Sequence, residues 1–292
     1  VLRILPDEDI VMFQSADADN YFPMLRSTSI PNRAFCQRHG VRYTLLYGIL
    51  RGYHPWHAAY NRILLLDRMI ALGFRGWFMH VDSDAYVADI GFDIRAYLTS
   101  LGETSFVFAA GARAEPWDVN DGVFLANCAH PDTVEVSRLW LEILCTIGPD
   151  RLRDSPQWYA NGLPGDQALL HTVLRNNPAL TEAIWREHPS FFNGPRASFI
   201  RQVMRSAERD PHQRLDRIVL DVERAKAEQD LPPEDPVGFY CALARRAGIP
   251  LPRKVDGIRE MVEDPAQLEQ LLRRCLHQLR KRPPAESGDP PA

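Results

Sequence analysis

The stretch "WFMHVDSDAYV", residues 77–87, runs five mostly apolar residues straight into Asp82-Ser83-Asp84. A strand that ends in two carboxylates one residue apart brings two hard oxygen donors to one place. Mg2+ and Mn2+ take such ligands, are commonly held by one or two carboxylates, and keep coordination sites open for substrate phosphates. A solvated strand-to-loop turn has the same composition, because Asp and Ser favour turns. The rest of the chain has to separate the two readings.

Several short apolar runs can carry those carboxylates: residues 9–16, 42–48, 76–82, 105–111 and 122–128. Their length and weak alternation predict strands buried on both faces. Helices are predicted between and after them. Residues 31–39 begin at Pro31 and stop at Gly40; residues 55–72 carry Ile63, Leu66, Met69 and Ile70 and stop at Gly73. Residues 131–146 open with "PDTVE", a proline and acids suited to a first turn. Alternating strands and helices predict a doubly wound α/β sheet, whose ligands lie beyond the carboxyl ends of the strands. Asp82 and Asp84 would stand there.

Past residue 208 the character changes. "HQRLDRIVLDVERAKAEQ" and "DPAQLEQLLRRCLHQLRKR" are amphipathic helix patterns separated by "DLPPEDP", and "PPAESGDPPA" closes the chain. The expected organisation is therefore a catalytic-type domain over 1–208, a helical extension over 209–282 and a disordered tail over 283–292. The extension is expected to cover the domain or to mediate self-association as a homo-oligomer, with no catalytic group in it.

Composition narrows the function classes. With 45% hydrophobic and 25% charged residues and a formal charge of −4, the chain reads as an ordinary globular protein with no electrostatic case for nucleic acid. Of its 34 basic residues only Lys226, Lys254 and Lys281 are lysines. A phosphate ligand in the first 225 residues must therefore be arginine, a backbone amide or a metal ion. The cysteines (Cys36, Cys128, Cys145, Cys241, Cys275) are odd in number and form no CxxC pair. They suggest neither a zinc site nor a disulfide framework, and a reducing compartment is expected. "VLRILPDEDIV" lacks the features of a signal peptide and no run is long enough to span a bilayer. The expected location is cytoplasmic, or peripheral to a membrane through a partner.

Three reaction classes place a carboxylate pair on an α/β sheet. Haloacid-dehalogenase-like phosphatases use the first Asp as nucleophile, but they next need a lysine, and none precedes Lys226. Sugar nucleotidyltransferases need an N-terminal Gly-rich phosphate loop, and "VMFQSADADN" has no glycine; Walker and GxGxxG patterns are also absent. The third class is glycosyl transfer from a nucleotide sugar.

Four segments in order resemble GT-A glycosyltransferases with a DxD motif, and look most like the fungal α-galactosyl/α-mannosyltransferases and plant xyloglucan xylosyltransferases. "PNRAFCQRHGVRYTL" carries Asn32, Arg33, His39 and Gly40; "YNRILLLDRMIALGFRGWFMHVDSDAYV" carries Tyr60, Arg62 and Ile63 ahead of the DxD. "VNDGVFLANCAHPDTVEVSRLW" and "GDQALL" complete the series, over residues 9–205. The resemblance implies a GT-A fold with a mixed, mostly parallel sheet, a Mn2+ or Mg2+ cofactor, a nucleotide-sugar donor (UDP-hexose before GDP-sugar), a glycan acceptor and retention of configuration. It implies metal ligation by Asp82 and Asp84. Where the family supplies a His as third ligand, this chain has Gln202, with His188 as rival. It further implies donor contacts from Arg33, Arg62, Asp82, Ser83, Asn120 and Gly122, with Arg62 aimed at the diphosphate. Asp121, Asp166 and Gln167 would act around the transferred sugar. Trp117 and Trp158 are candidates for stacking on the acceptor. A catalytically inactive carbohydrate-binding protein of this fold is the alternative from outside the enzymes.

Overall fold

The computed structural model describes residues 4–5, 8–157, 162–204, 210–229, 240, 244, 247–252 and 255–281. It divides into two compact units, Val1–Leu231 and Pro232–Ala292.

The first unit opens with strand β1 (Ile10–Ala16), helix α1 (Phe22–His39) and strand β2 (Arg42–Tyr47). A 3-10 turn (Pro55–Tyr60) leads into α2 (Asn61–Ala71), then β3 (Trp77–Val81), β4 (Ala85–Val87) and α3 (Ile94–Ser100). Next come β5 (Phe106–Ala110), β6 (Val119–Asn127), α4 (Pro131–Cys145), α5 (Pro149–Arg153) and α6 (Asp166–Asn176). The unit ends with β7 (Ile184–Glu187), β8 (Phe192–Gly194), β9 (Ile200–Gln202) and α7 (Pro211–Glu228). The main sheet has the order β2-β1-β3-β6-β5-β7, and a small second sheet has the order β4-β9-β8. In the main sheet β1 is parallel to both β2 and β3, and β5 is parallel to β7. Only β6, between β3 and β5, runs against its neighbours.

The weak alternation of the strand sequences follows from burial on both faces. Val11, Phe13, Phe78, Phe106, Phe108 and Phe124 enter one core layer with Ile63, Leu66 and Met69 of α2 and Trp140 of α4. Their sequence neighbours Ile10, Met12, Met79, Val81, Val107, Val123 and Leu125 enter the other layer with Phe35 of α1 and Ile94 of α3. Period-2 geometry thus sends every residue of a strand to one apolar layer or the other.

The first helix departs from expectation. It starts at Phe22, with Pro23 in its first turn, and Pro31 lies inside it. An interior proline forgoes one helical N–H. Burial of Met24, Leu25, Thr28, Asn32, Phe35 and Cys36 along one face offsets that loss. The stretch 55–72 is a 3-10 turn followed by a helix. Residues 119–121 belong to β6, although "NDG" reads as a turn. The two are reconciled by a register irregularity opposite Phe108 and Ala109, where Asn120 Oδ1 accepts the Gly122 N–H at 2.9 Å. Strands β4, β7, β8 and β9 lie outside the predicted runs. Helix α7 packs on α1 and belongs to the first unit, so the division falls near 231 and not at 208.

In the second unit the helices Val255–Glu263 and Pro265–Lys281 pack together, and Ala244, Ala247, Ile249, Leu271 and Cys275 form a small core. Cys241 and the tail 283–292 lie outside the described residues. Among the described residues no helix is long and apolar enough to cross a membrane.

Phe124 stands at the centre of the first layer, its ring 5.4 Å from Phe108, 6.0 Å from Phe78 and 6.1 Å from Trp140. Phe124→Ala is expected to lower unfolding free energy by about 3–5 kcal/mol, read from the urea midpoint at unchanged slope.

Candidate active site

Strands β1 and β3 end at one edge of the main sheet, and the antiparallel β6 begins there. The carboxylate turn leaves β3 at this edge, and buried side chains lock its backbone. Gln14 Nε2 donates to the carbonyls of Asp82 (2.9 Å) and Ala85 (3.1 Å), and Thr28 Oγ1 donates to that of Ser83 (2.9 Å). Asn32 Nδ2 donates to the Ala85 carbonyl at 3.2 Å, while Asn32 Oδ1 accepts the Val87 N–H at 2.7 Å. Gln14 Oε1 is itself held by the Tyr43 hydroxyl. Asp82 N–H donates to the Gly122 carbonyl at 2.8 Å, tying the turn to β6. Asn32 therefore acts through backbone. Its neighbour Arg33 is exposed on α1 and does not line the site.

Arg62, from the first turn of α2, is buried at 5% exposure and gathers three carboxylates from three elements. Its terminal nitrogens meet Asp82 Oδ1 at 2.5 Å and Asp121 Oδ1 at 3.2 Å, and its Nε meets Asp166 Oδ2 at 3.0 Å. The guanidinium also donates to the carbonyls of Asp121 (2.6 Å) and Ala59 (3.2 Å). These bonds engage all three of its nitrogens, so Arg62 holds the acidic cluster together instead of pointing a free fork at a diphosphate. Asp166 stands at the first residue of α6, a favourable place for a carboxylate, with its carbonyl fixed by Trp140 Nε1 at 3.1 Å. Tyr60 donates from its hydroxyl to the Pro164 carbonyl at 2.7 Å and so supports the same loop.

The electrostatics follow from burial and crowding. Burial and Asp166 push Asp121 well above the usual carboxylate range, and burial raises Asp166 against the pull of Arg62. The Asp82 charge adds to the rise of both. Burial works against ionisation of Asp82, but Arg62 and His80 hold its carboxyl below the ordinary value. Burial, and then the neighbouring Asp82 charge, push Asp84 up to about 6. His80, stacked on Phe124, is pushed down to about 4 by burial and by Arg62, and is neutral at pH 7.

Asp82 Oδ2 and Asp84 Oδ1 face a common point: both accept from Gln202 Nε2, at 3.0 and 2.9 Å. Gln202 Oε1 is buried without a hydrogen-bond partner. A half-turn of the amide places that oxygen toward the two carboxylates, giving three hard oxygen donors. Gly122 keeps the space open. A Cβ there would lie 2.7 Å from Gln202 Oε1 and 3.0 Å from Asp82 Oδ2. Among the described residues no group of three or more His, Cys, Asp or Glu side chains is arranged to hold a metal ion. A cation at this point would rest on Asp82, Asp84 and the Gln202 amide, and the donor chemistry fits Mg2+ or Mn2+. The rival ligand His188 is exposed in the segment before β8, bonded to Ser190 Oγ at 2.7 Å, and does not line the site.

These residues open on a cleft of about 480 Å3, also lined by Ser83, Asn120, Gln167 and Met204. That volume suits a small-molecule ligand. Trp117 does not line it; its ring meets the guanidinium of Arg175 at 4.7 Å and that of Arg113 at 5.6 Å. Trp158 lies outside the described residues. Among the described residues the aromatic ones at the cleft are Trp56 and Tyr21, neither singled out in sequence.

Arg214 of α7 is a further departure. Expected to lie in a region without catalytic groups, it is buried at 2% exposure, lines the cleft, and sits over the Tyr21 ring. One of its nitrogens is 3.7 Å from Asp84 Oδ2. Its sequence signal was available: Arg214 falls in register with the buried Ile218, Val222 and Ala225, a cation on the apolar stripe of an amphipathic helix. Four carboxylates (Asp82, Asp84, Asp121, Asp166) thus face two guanidiniums (Arg62, Arg214), a formal excess of two negative charges when all are ionised.

Removing Arg62 strands buried carboxylates. Arg62→Met is expected to cost about 3–5 kcal/mol in urea unfolding, and Arg62→Lys to recover little, since one ammonium cannot span three carboxylates. Asp84→Asn has the opposite sign: with one of two adjacent like charges gone, the metal-free melting temperature should stay the same or rise.

No protein-family model matches the sequence, and no curated protein matches it. Solved structures do. A glycosyltransferase involved in glycosylation of the major capsid of PBCV-1 is similar at a TM-score of 0.50 and 14% identity, over 72% of this chain and 98% of that one. The apo form of the glycosyltransferase GlyE of Streptococcus pneumoniae aligns at 0.38 and 16% identity, over 63% of this chain and 46% of that one. A Drosophila β1,4-galactosyltransferase 7 mutant, in complex with manganese, UDP-Gal and xylobiose, aligns at 0.37 and 13%, over 69% and 73%. The fold of the first unit is the GT-A-type α/β fold, with a mostly parallel central sheet flanked by helices.

Proposed function

We propose that this chain is a divalent-metal-dependent glycosyltransferase. It moves a hexose from a nucleoside-diphosphate sugar, UDP-hexose before GDP-sugar, to a hydroxyl of a glycan with retention of configuration. The observation that carries the reading is the excess of negative charge around Asp82, Asp84 and Gln202, at the carboxyl edge of a GT-A-type sheet. The order of motifs resembling the fungal and plant retaining enzymes supports it.

A Mg2+ or Mn2+ held by Asp82, Asp84 and Gln202 supplies positive charge for the diphosphate that departs. Arg214, with its guanidinium at the mouth of the same cluster, adds a second positive charge for the phosphate oxygens. Asn120 and Asp121, presented by the irregularity in β6, hold sugar hydroxyls. The crowding of buried acids raises Asp121 and Asp166 together, and the pair keeps its negative charge beside Arg62. Arg62 fixes this charge where it can stabilise the positive, oxocarbenium-like sugar. Gln167, next on α6, orients the sugar from the same side. The acceptor hydroxyl approaches on the leaving-group face and passes its proton to a diphosphate oxygen.

The test is calorimetric binding of UDP and GDP to the full chain, with and without Mn2+. Wild type should bind one nucleotide tightly only with the ion present, and Asp84→Asn should weaken that binding at least tenfold. Equal affinity in the two proteins would sink the metal assignment. NMR of the transfer product should give an α-linkage from an α-linked donor, and a β-linkage overturns retention. Asp166→Ala should lower kcat far more than donor affinity, because the charge it meets develops in the transition state. Loss of donor binding with turnover preserved would move Asp166 from catalysis to recognition.

A further inference from the structure

A second cavity, of about 420 Å3, lies one step along the β4–β9 ladder from the carboxylate cluster. Ala85 pairs with Gln202 in that ladder, and the next pair, Tyr86 with Arg201, lines the second cavity. Arg196 joins them from the segment before β9. Helix α7 contributes Arg217, Asp221, Arg224 and Glu228. These four recur every three to four residues, on a stripe beside the one that carries Arg214.

We propose that this cavity is an anion site for a phosphate group, separate from the donor cleft. Three observations carry it. Among the described residues four guanidiniums face two carboxylates, so these walls hold two positive charges in excess, the charge of a phosphate monoester dianion. A carboxylate ligand would leave one of them uncompensated. The ion pairs inside the cavity are long: Arg217 Nε lies 3.8 Å and Arg224 4.0 Å from Asp221. Such separations leave guanidinium N–H groups free for a further acceptor. Arg201 donates its Nε to the Ala197 carbonyl at 3.2 Å, which fixes the plane of its fork beside the Tyr86 hydroxyl. Finally, Tyr86 is 0% exposed, and its hydroxyl, with Arg201 beside it, has no acceptor for its own hydrogen. A buried hydroxyl without an acceptor is costly, and a phosphate oxygen on the adjacent arginines would accept from it. Charge, fork geometry and an unmatched donor converge on one oxyanion.

The probe is inorganic phosphate, titrated into the metal-free full chain by calorimetry and thermal shift, with chloride holding ionic strength constant. Saturable binding and a rise in melting temperature are expected. Arg201→Gln combined with Arg224→Gln should weaken binding at least tenfold. Tyr86→Phe should weaken it about fivefold without lowering the melting temperature in the absence of phosphate, since it removes an unmatched buried hydroxyl. Arg214→Gln, a substitution in the donor cleft and outside this cavity's lining, should leave phosphate affinity unchanged. The site is overturned if chloride reproduces the shift, if the Arg201 and Arg224 substitutions leave affinity intact, or if Arg214→Gln abolishes binding. Glycerol 3-phosphate in solution and vesicles of phosphatidic acid in phosphatidylcholine separate a soluble ester from a lipid headgroup. Competition with phosphate by either, lost in the arginine variant, supports the site and names its source. Because neither nucleotide sugar nor divalent ion is added, the outcome is independent of the glycosyltransferase reading.

Discussion

One buried guanidinium organises the cleft end of this protein. Arg62 meets Asp82 after β3, Asp121 in β6 and Asp166 at the start of α6. Three carboxylates at that depth would repel one another and shed their charge. Around a planar cation with five donors they become a fixed constellation, and the three elements that carry them are tied at their ends. Removing a partner from such a pair leaves an uncompensated buried charge, which is why the arrangement has to be complete to be stable. The residual negative charge collects on the side away from Arg62, between Asp82 and Asp84.

The second layer of order is neutral. Gln14, Thr28 and Asn32 use amides and a hydroxyl to satisfy the carbonyls of residues 82, 83 and 85, and Asn32 also takes the N–H of Val87. A turn exposed to the cleft would otherwise be free to reshape as ligands come and go. With its backbone groups paired to β1 and α1, only the carboxylate side chains remain to respond. The opposing wall is set by Gly122, whose missing side chain leaves the space between Gln202 and Asp82. The proposed donor set therefore depends as much on an absent Cβ as on the acids themselves.

Helix α7 gives the small sheet its second role. Its buried stripe packs with Met24, Tyr86 and Val203, and the arginine on that stripe enters the cleft beside Asp84. The adjacent stripe lines the arginine-rich cavity. Both positive features are guanidiniums, as the scarcity of lysine requires. A planar fork that stays charged when buried serves both places better than an ammonium could.

The sequence by itself determined the layers. Five apolar runs without alternation, helices between them and a carboxylate pair at a strand end follow from local periodicity, and a residue's two neighbours suffice to read them. Asp82, Asp84, Ser83, Asn120, Asp121, Gly122, Asp166, Gln167 and Gln202, all read as site residues, are gathered by the structure into one cleft. Tertiary structure decided the partnerships: Arg62 as the hub of the acids, Asn32 and not Arg33 as the useful member of its pair, Trp56 and Tyr21 and not Trp117 at the cleft. It also brought Arg214 from a helix read as a separate extension and built the second sheet from strands of three residues each. The reason is physical. Periodicity is a property of adjacent residues, whereas an ion pair between positions 62 and 166, or a contact between positions 84 and 214, depends on which strand ends share an edge of the sheet. Three-residue strands carry too little pattern to be read at all, and a charge on an apolar stripe takes its meaning only from the acid that the folded chain sets opposite it.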